Sequence, residues 1–113
     1  METIALHTRL AVGREDDYDR IHATIPPELD TALRAAGVRT WRIWRSGQDI
    51  FHVVECEDYA GMRSFLKEHP ANIPWQVRMG ELLEVPDDYS GGDRGIGMVW
   101  ALPDLPAEGG VGG

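Results

Sequence analysis

A predicted β-hairpin in the middle of the chain constrains the fold more than any other sequence feature. Residues 38–45 are predicted to form a strand, with Trp41 and Ile43 on the same face because side chains alternate along a strand. Residues 50–57 follow as another strand. The link Ser46-Gly47-Gln48-Asp49 is short and contains glycine, which is typical of a hairpin turn. The sequence therefore predicts an antiparallel sheet at the centre of the fold.

Helices and further strands are predicted on both sides of this hairpin. Pro26-Pro27 must interrupt any helix that reaches it, and Gly37 suits the left-handed residue that follows a helix. The other predicted elements are a strand over 3–12, helical segments beginning near Glu15 and Pro27, helices over 58–69 and 74–84, and a strand over 96–102. The order β-α-β-β-α-β predicts an α+β, ferredoxin-like fold in one domain over residues 1–103. The Gly/Pro-rich segment 104–113 is predicted to be a flexible tail.

This topology places both helical layers on one face of the sheet and leaves the other face uncovered. Trp41, His52 and Trp100 are predicted to lie on the uncovered face, where exposed aromatic surface indicates a partner. We expect a homodimer in which two sheets stack face to face and enclose a pocket.

Charge and composition limit the partners that the protein can bind. The net charge of −8 argues against nucleic acid or an anionic membrane and favours a neutral small molecule. Cys56 is the single cysteine, so an intrachain disulfide is impossible, and a reducing compartment is expected. The residues after Met1 lack signal-peptide features, and no apolar run is long enough to span a membrane. A cytoplasmic location is predicted.

Tyr18 and His22 form the candidate site. They are four residues apart, so in a helix they share one face. An imidazole exchanges protons near neutral pH, and a phenol offers a hydrogen bond and a flat ring. The alternative is that the pair is a contact at the edge of the core, and the spacing alone leaves both possibilities open.

Other reactive side chains give weaker signals. His7, His52 and His69 are scattered, so no metal site is predicted. Cys56 is predicted to fill a small buried apolar position. The glycines at 91–95 have no lysine and no following helix, so they do not form a phosphate-binding loop.

A series of short segments follows in order along the chain: Tyr18-x-x-x-His22, Pro27-Glu28-Leu29, Gly37, the aromatic strand around Trp41, the helix around Trp75, and Val99-Trp100-Ala101-Leu102-Pro103. In this order and spacing they resemble the L-rhamnose mutarotase family over about residues 3–103. At three positions the chain departs from that family: Trp41 replaces the usual tyrosine, and Pro26 and Gln76 each replace a tryptophan.

The resemblance implies an isomerase that works as a dimeric α+β barrel without a cofactor. Its substrate is implied to be a monosaccharide, L-rhamnose or a related 6-deoxy sugar, whose α and β anomers it interconverts. His22 is implied as the catalytic acid/base, with Tyr18, Trp41 and Trp75 around the sugar. Ring opening needs proton transfer without any change of oxidation state, which an imidazole can support.

Two other functions stay open from the sequence. Since a fold does not determine function, the same dimeric barrel could carry a cofactor-free oxygenase or a cyclase of secondary metabolism. The chain could also be a ligand-binding module without catalytic activity, in which His22 only anchors a small ligand.

Overall fold

Three antiparallel strands form the sheet of the computed structural model, which describes residues 1–85 and 95–103. They are β1 (Glu2–Arg9), β2 (Val38–Ser46) and β3 (Asp49–Cys56), arranged in the order β1-β3-β2. Because Ser46 pairs with Asp49, the β2–β3 loop has only two residues, and its first residue, Gly47, has φ 60°. A positive φ at this position is what a type II′ hairpin requires. The predicted hairpin is confirmed.

Four helices pack against this sheet: α1 (Glu15–His22), α2 (Pro27–Ala35), α3 (Tyr59–Lys67) and α4 (Asn72–Leu82). They confirm the predicted helical segments, with shifts of a few residues at the ends. The helix α4 begins two residues before Pro74, which sits in its first turn, where a backbone N–H has no partner within the helix. Within the described residues, no helix is long and apolar enough to cross a membrane.

The core lies between the sheet and the helices, in two clusters. The first contains Leu6, Val54 and Cys56 from the strands, packed against α2 and α3. The second contains Leu10 and Ile50 with side chains from α1 and α4. Cys56 is fully buried, and burial raises the pKa of its thiol, so its predicted apolar role is confirmed.

The uncovered sheet face differs from the one predicted. Trp41 pairs with the buried Val54, and His52 is itself buried, so both face the helices. His52 lies two residues before Val54 on β3, and this spacing of two puts both on the same face. The opposite face carries Trp44 and Phe51, which are 53% and 44% exposed. Trp100 lies outside the sheet.

The predicted last strand is also corrected. Of residues 96–102, only Ile96 pairs with the sheet, through one antiparallel bridge to Ala5 at the edge of β1. Four apolar side chains beyond it are largely exposed: Met98, Val99, Trp100 and Leu102. At the other end, β1 stops at Arg9 rather than at residue 12. Residues 86–94, and the predicted tail over 104–113, lie outside the described residues.

Candidate active site

A cavity of about 150 Å³ lies between the sheet and helices α1, α2 and α4. The four residues predicted for the site, Tyr18, His22, Trp41 and Trp75, all line it. Aliphatic side chains, including those of Leu29 and Leu33, complete much of its wall. An engineered apolar cavity of about 150 Å³ binds benzene, so this volume suits a single six-membered ring.

His22 is held by the backbone of its own helix. Its Nδ1 lies 3.0 Å from the carbonyl oxygen of Tyr18, and the two rings stack with their centroids 3.9 Å apart. A carbonyl oxygen only accepts hydrogen bonds, so Nδ1 carries the hydrogen and donates. In the neutral imidazole, the lone pair then resides on Nε2. The contact therefore prepares Nε2 of His22 to accept a proton.

The surroundings of His22 favour this neutral form. Burial lowers its pKa from the ordinary value of 6.5, and this outweighs the opposing effects of the Tyr18 carbonyl and the Asp19 carboxylate. Asp19 is itself paired with Arg45 of β2, through Nε and Nη2 at 2.8 and 2.6 Å. That bidentate contact lowers the pKa of Asp19 and links α1 to the edge of the sheet.

The two tryptophans approach the cavity from different elements. Trp75, on α4, meets the His22 ring edge-on, with centroids 5.1 Å apart and planes at 76°. Trp41, on β2, donates its indole N–H to Nδ1 of His52 at 3.1 Å. Its polar edge is therefore used within the protein, and its ring surface is what it can offer a ligand.

The sequence model of the L-rhamnose mutarotase family matches residues 3–102. This chain belongs to that family. An L-rhamnose mutarotase of Paraburkholderia xenovorans is 52% identical to it over 107 residues, which cover 93% of this chain and 99% of that protein. Matches to L-rhamnose mutarotases of Burkholderia orbicola and Burkholderia ambifaria are shorter and span 42% and 50% of those proteins.

Solved structures show the same fold at low sequence identity. The crystal structure of an L-rhamnose mutarotase from Formosa agariphila superposes with a TM-score of 0.73 at 20% sequence identity. The match covers 91% of this chain and 100% of that one. Tetracenomycin F2 cyclase from Streptomyces glaucescens, a type-II polyketide cyclase, has a TM-score of 0.62 and 18% identity, with coverage of 91% and 100%. The predicted fold, that of the dimeric α+β barrels, is confirmed.

Four polar residues in the wall of this mutarotase-family cavity were not among the predicted site residues: Thr8, His52, Asn72 and Gln76. The strand period contained the signal for two of them. Thr8 lies two residues from the buried Leu6 and Leu10, and His52 lies two residues from the buried Ile50 and Val54, so both are on the helix side of the sheet. For Asn72 no such signal existed, because its position depends on where α4 begins. Its amide donates to the carbonyl of Leu66 at 3.0 Å.

The sequence predicted that this family member has no metal site. In the part of the chain that the structure describes, no three histidine, cysteine, aspartate or glutamate side chains are grouped to hold a metal ion. Imidazole, indole, amide and hydroxyl groups are the polar groups at this cavity, and no carboxylate or thiol of the described residues lines it.

Proposed function

We propose that this chain is a cofactor-independent sugar mutarotase, an isomerase that interconverts the α and β anomers of L-rhamnose or a related 6-deoxy sugar. The contact between His22 Nδ1 and the Tyr18 carbonyl carries the proposal, because it leaves Nε2 as the proton acceptor at a cavity of the right size for a pyranose. Membership of the family supports the sugar class, since relatives over nearly the whole chain are named L-rhamnose mutarotases.

The reaction requires one proton to leave the anomeric hydroxyl and another to reach the ring oxygen. In our mechanism, Nε2 of His22 takes the hydroxyl proton, and the electron pair of that O–H bond forms the carbonyl. The bond between the anomeric carbon and the ring oxygen breaks, and the ring oxygen takes a proton from a second hydroxyl or water. Rotation of the aldehyde and the reverse steps close the ring on the other face, with no net proton change.

Three aromatic residues are proposed to contact the sugar. The C–H faces and the methyl group of a 6-deoxy sugar are apolar and pack against ring surfaces. Trp41 and Trp75 present such surfaces from β2 and α4. Tyr18 also lines the cavity and stacks on His22, so it is proposed to contact the sugar and to support the imidazole.

We also propose a homodimer. Trp44 and Phe51 lie on the sheet face that no helix of the described residues covers, and both are about half exposed. Four apolar side chains after Ile96 are exposed as well. Stacking a second sheet on this face would bury Trp44 and Phe51, as expected for exposed aromatic side chains on an uncovered sheet. We further propose a cytoplasmic location, since the single cysteine is a buried thiol.

The proposal is tested by saturation-transfer NMR on the anomeric protons of L-rhamnose, with L-fucose and D-glucose as comparison sugars. Catalysed exchange is expected for a 6-deoxy sugar at enzyme concentrations that leave glucose exchange at its uncatalysed rate. Uncatalysed rates for every sugar would contradict the proposal. A cyclase function is not favoured, because the family model and a relative that matches nearly the whole chain are both those of L-rhamnose mutarotases.

A further inference from the structure

We propose that Thr8 determines substrate specificity by donating a hydrogen bond from its hydroxyl to an oxygen of the sugar, and that His52 and Trp41 are the residues that position it. This inference rests on the proposed function, because it takes the ligand in the cavity to be a monosaccharide. The three side chains come from the three strands β1, β3 and β2, and all line the 150 Å³ cavity.

The indole of Trp41 fixes the tautomer of His52. An indole N–H is only a donor, and Trp41 Nε1 lies 3.1 Å from Nδ1 of His52, so Nδ1 must accept. A neutral imidazole with an acceptor at Nδ1 carries its hydrogen on Nε2. A protonated His52 would place two donors against each other at this contact. The geometry therefore holds His52 neutral, with the hydrogen on Nε2.

This tautomer in turn orients the hydroxyl of Thr8. Nε2 of His52 lies 3.0 Å from Thr8 Oγ1 and donates to it. The hydroxyl accepts at this contact, so its own hydrogen points away from His52. Among the described residues, the bond to His52 is the hydrogen bond that the Thr8 side chain makes. Trp41 thus donates to His52 and His52 donates to Thr8, which leaves the O–H of Thr8 as a donor at the cavity wall.

A sugar hydroxyl or ring oxygen is the partner that satisfies this donor. A ligand that placed an apolar group against the half-buried hydroxyl of Thr8 would leave that donor without a hydrogen bond. A ligand with an oxygen at this position is therefore favoured. A site built around such a bond also discriminates against analogues that lack the oxygen. Because both nitrogens of His52 are occupied, His52 does not act as the second acid/base group, and its role differs from that of His22.

The tautomer can be measured without any ligand, by ¹⁵N NMR of histidine-labelled protein at neutral pH. The signals of His52, assigned with a His52→Phe variant, should show a protonated Nε2 and an unprotonated Nδ1. A hydrogen on Nδ1, or an imidazolium, would overturn the inference. This measurement is independent of catalysis, so it separates a failure of the inference from a failure of the proposed function.

The specificity role is tested with Thr8→Val, which removes the hydroxyl at nearly constant volume, and with Thr8→Ser as the matched variant that keeps it. We expect Thr8→Val to raise KM for the sugar roughly two- to tenfold with little change in kcat, as for one lost neutral hydrogen bond. Thr8→Ser should retain most of the affinity. Unchanged KM in Thr8→Val would show that the hydroxyl donates elsewhere, for example into a second cavity of about 170 Å³ that the same three residues line, and would overturn the inference.

Deoxygenated sugars identify the oxygen that Thr8 contacts. In the wild-type protein, one member of a panel of monodeoxy analogues should bind more weakly than the parent sugar by a factor similar to the effect of Thr8→Val. In Thr8→Val, that analogue and the parent should bind equally. If Thr8→Val instead weakened the binding of the parent sugar and of every analogue by the same factor, the substitution would have damaged the cavity in general, and the proposal would be overturned.

The positioning role of His52 is tested by a double-mutant cycle. His52→Phe keeps a ring in the core but removes both hydrogen bonds, so it should raise KM by a factor similar to that of Thr8→Val. The double variant should be no worse than the more affected single variant, because both changes remove the same oriented donor. Fully multiplicative effects would show that His52 and Thr8 act separately.

Discussion

Nδ1 of His22 lies 3.0 Å from the carbonyl oxygen of Tyr18, four residues earlier in the same helix. A backbone acceptor, rather than a side chain, therefore sets which nitrogen of the proposed catalytic imidazole carries the hydrogen. The position of the carbonyl depends only on α1 being helical, so substitution of the Tyr18 side chain leaves this contact available. The backbone of Tyr18 therefore sets the tautomer of His22, whereas the Tyr18 side chain stacks on the imidazole.

His22→Ala is predicted to lower the anomer exchange rate by about 10²–10⁴-fold, the usual contribution of a positioned acid/base group. Sugar binding should change less, since Trp41 and Trp75 still line the cavity. Saturation-transfer NMR gives the rate, and titration calorimetry gives the affinity. His69→Ala is the matched control, because His69 is half-buried near α4 but does not line this cavity. Equal rates in wild type and folded His22→Ala would show that His22 is structural.

Tyr18→Phe is predicted to be far milder, with a loss of at most about tenfold in exchange rate. The phenyl ring can stack on His22 as the phenol does at 3.9 Å, and the backbone carbonyl is unchanged. A single hydrogen bond from the hydroxyl is worth only about 0.5–1.5 kcal/mol. If Tyr18→Phe proved as inactive as His22→Ala, the hydroxyl itself would have to take part in proton transfer.

Tyr18→Ala should differ from Tyr18→Phe mainly in stability. Tyr18 is 4% exposed and packs in the second core cluster, so removing its ring leaves a cavity. Truncation of a large buried aromatic side chain typically costs about 3–5 kcal/mol. Chemical denaturation should therefore separate the two variants, with Tyr18→Phe close to the wild type. Similar midpoints would contradict the packing role.

Local sequence patterns predicted most of the fold because short-range chemistry determines those elements. Gly47 defines the hairpin, and Pro26-Pro27 separates α1 from α2. The i,i+4 spacing of Tyr18 and His22 predicted their shared face, which the structure reproduces. The end of the sheet was less predictable. A strand needs a neighbour, and residues after Ile96 have no paired strand among the described residues, although their sequence suits one.

The contacts on the polar side of the cavity could not be predicted, because they depend on strand register. His52 was assigned to the uncovered face, yet its alternation with Ile50 and Val54 places it among the buried residues. Its contacts with Trp41 and Thr8 join residues 11 and 44 positions apart in the chain. Such contacts follow from how β2, β3 and β1 align, and no local sequence motif encodes that alignment.

Activity is predicted to survive exhaustive chelation. The described residues contain no group of three metal-ligating side chains, and the proposed proton transfer needs only His22 and a second hydroxyl or water. The measurement is the exchange rate after dialysis against EDTA, compared with untreated protein. Loss of activity that one divalent ion restores would contradict a cofactor-independent mechanism.

The dimer proposal predicts that a charge at Phe51 disrupts association. Phe51 is 44% exposed and lies on the uncovered sheet face, so Phe51→Glu would place a carboxylate in the interface. Phe65→Glu is the matched control, because Phe65 is 45% exposed on helix α3 instead. Sedimentation should show twice the chain mass for the wild type and Phe65→Glu, and the monomer for Phe51→Glu. A monomeric wild type would contradict the proposal.

The pH dependence of catalysis should reflect the partly buried position of His22. Only its neutral form can accept a proton, so kcat/KM should fall as the pH is lowered through the pKa of the free enzyme. Burial lowers that pKa, and the midpoint of the acid limb is therefore predicted below 6.5. A midpoint at or above 6.5 would mean that the carboxylate of Asp19 and the Tyr18 carbonyl outweigh burial.

Asp19→Asn tests the electrostatic part of this balance. The negative charge of Asp19 raises the pKa of His22, so its removal should move the acid limb to still lower pH. The loss of the exposed ion pair with Arg45 should have little effect on folding. Asp17→Asn is the control, because Asp17 lies on the same helix but pairs with Arg14 and Arg20 instead. Because the charge of Asp17 does not contribute to the pKa shift of His22, Asp17→Asn should keep the wild-type pH profile. A limb that moves to higher pH in Asp19→Asn would contradict the assignment of His22 as the titrating base.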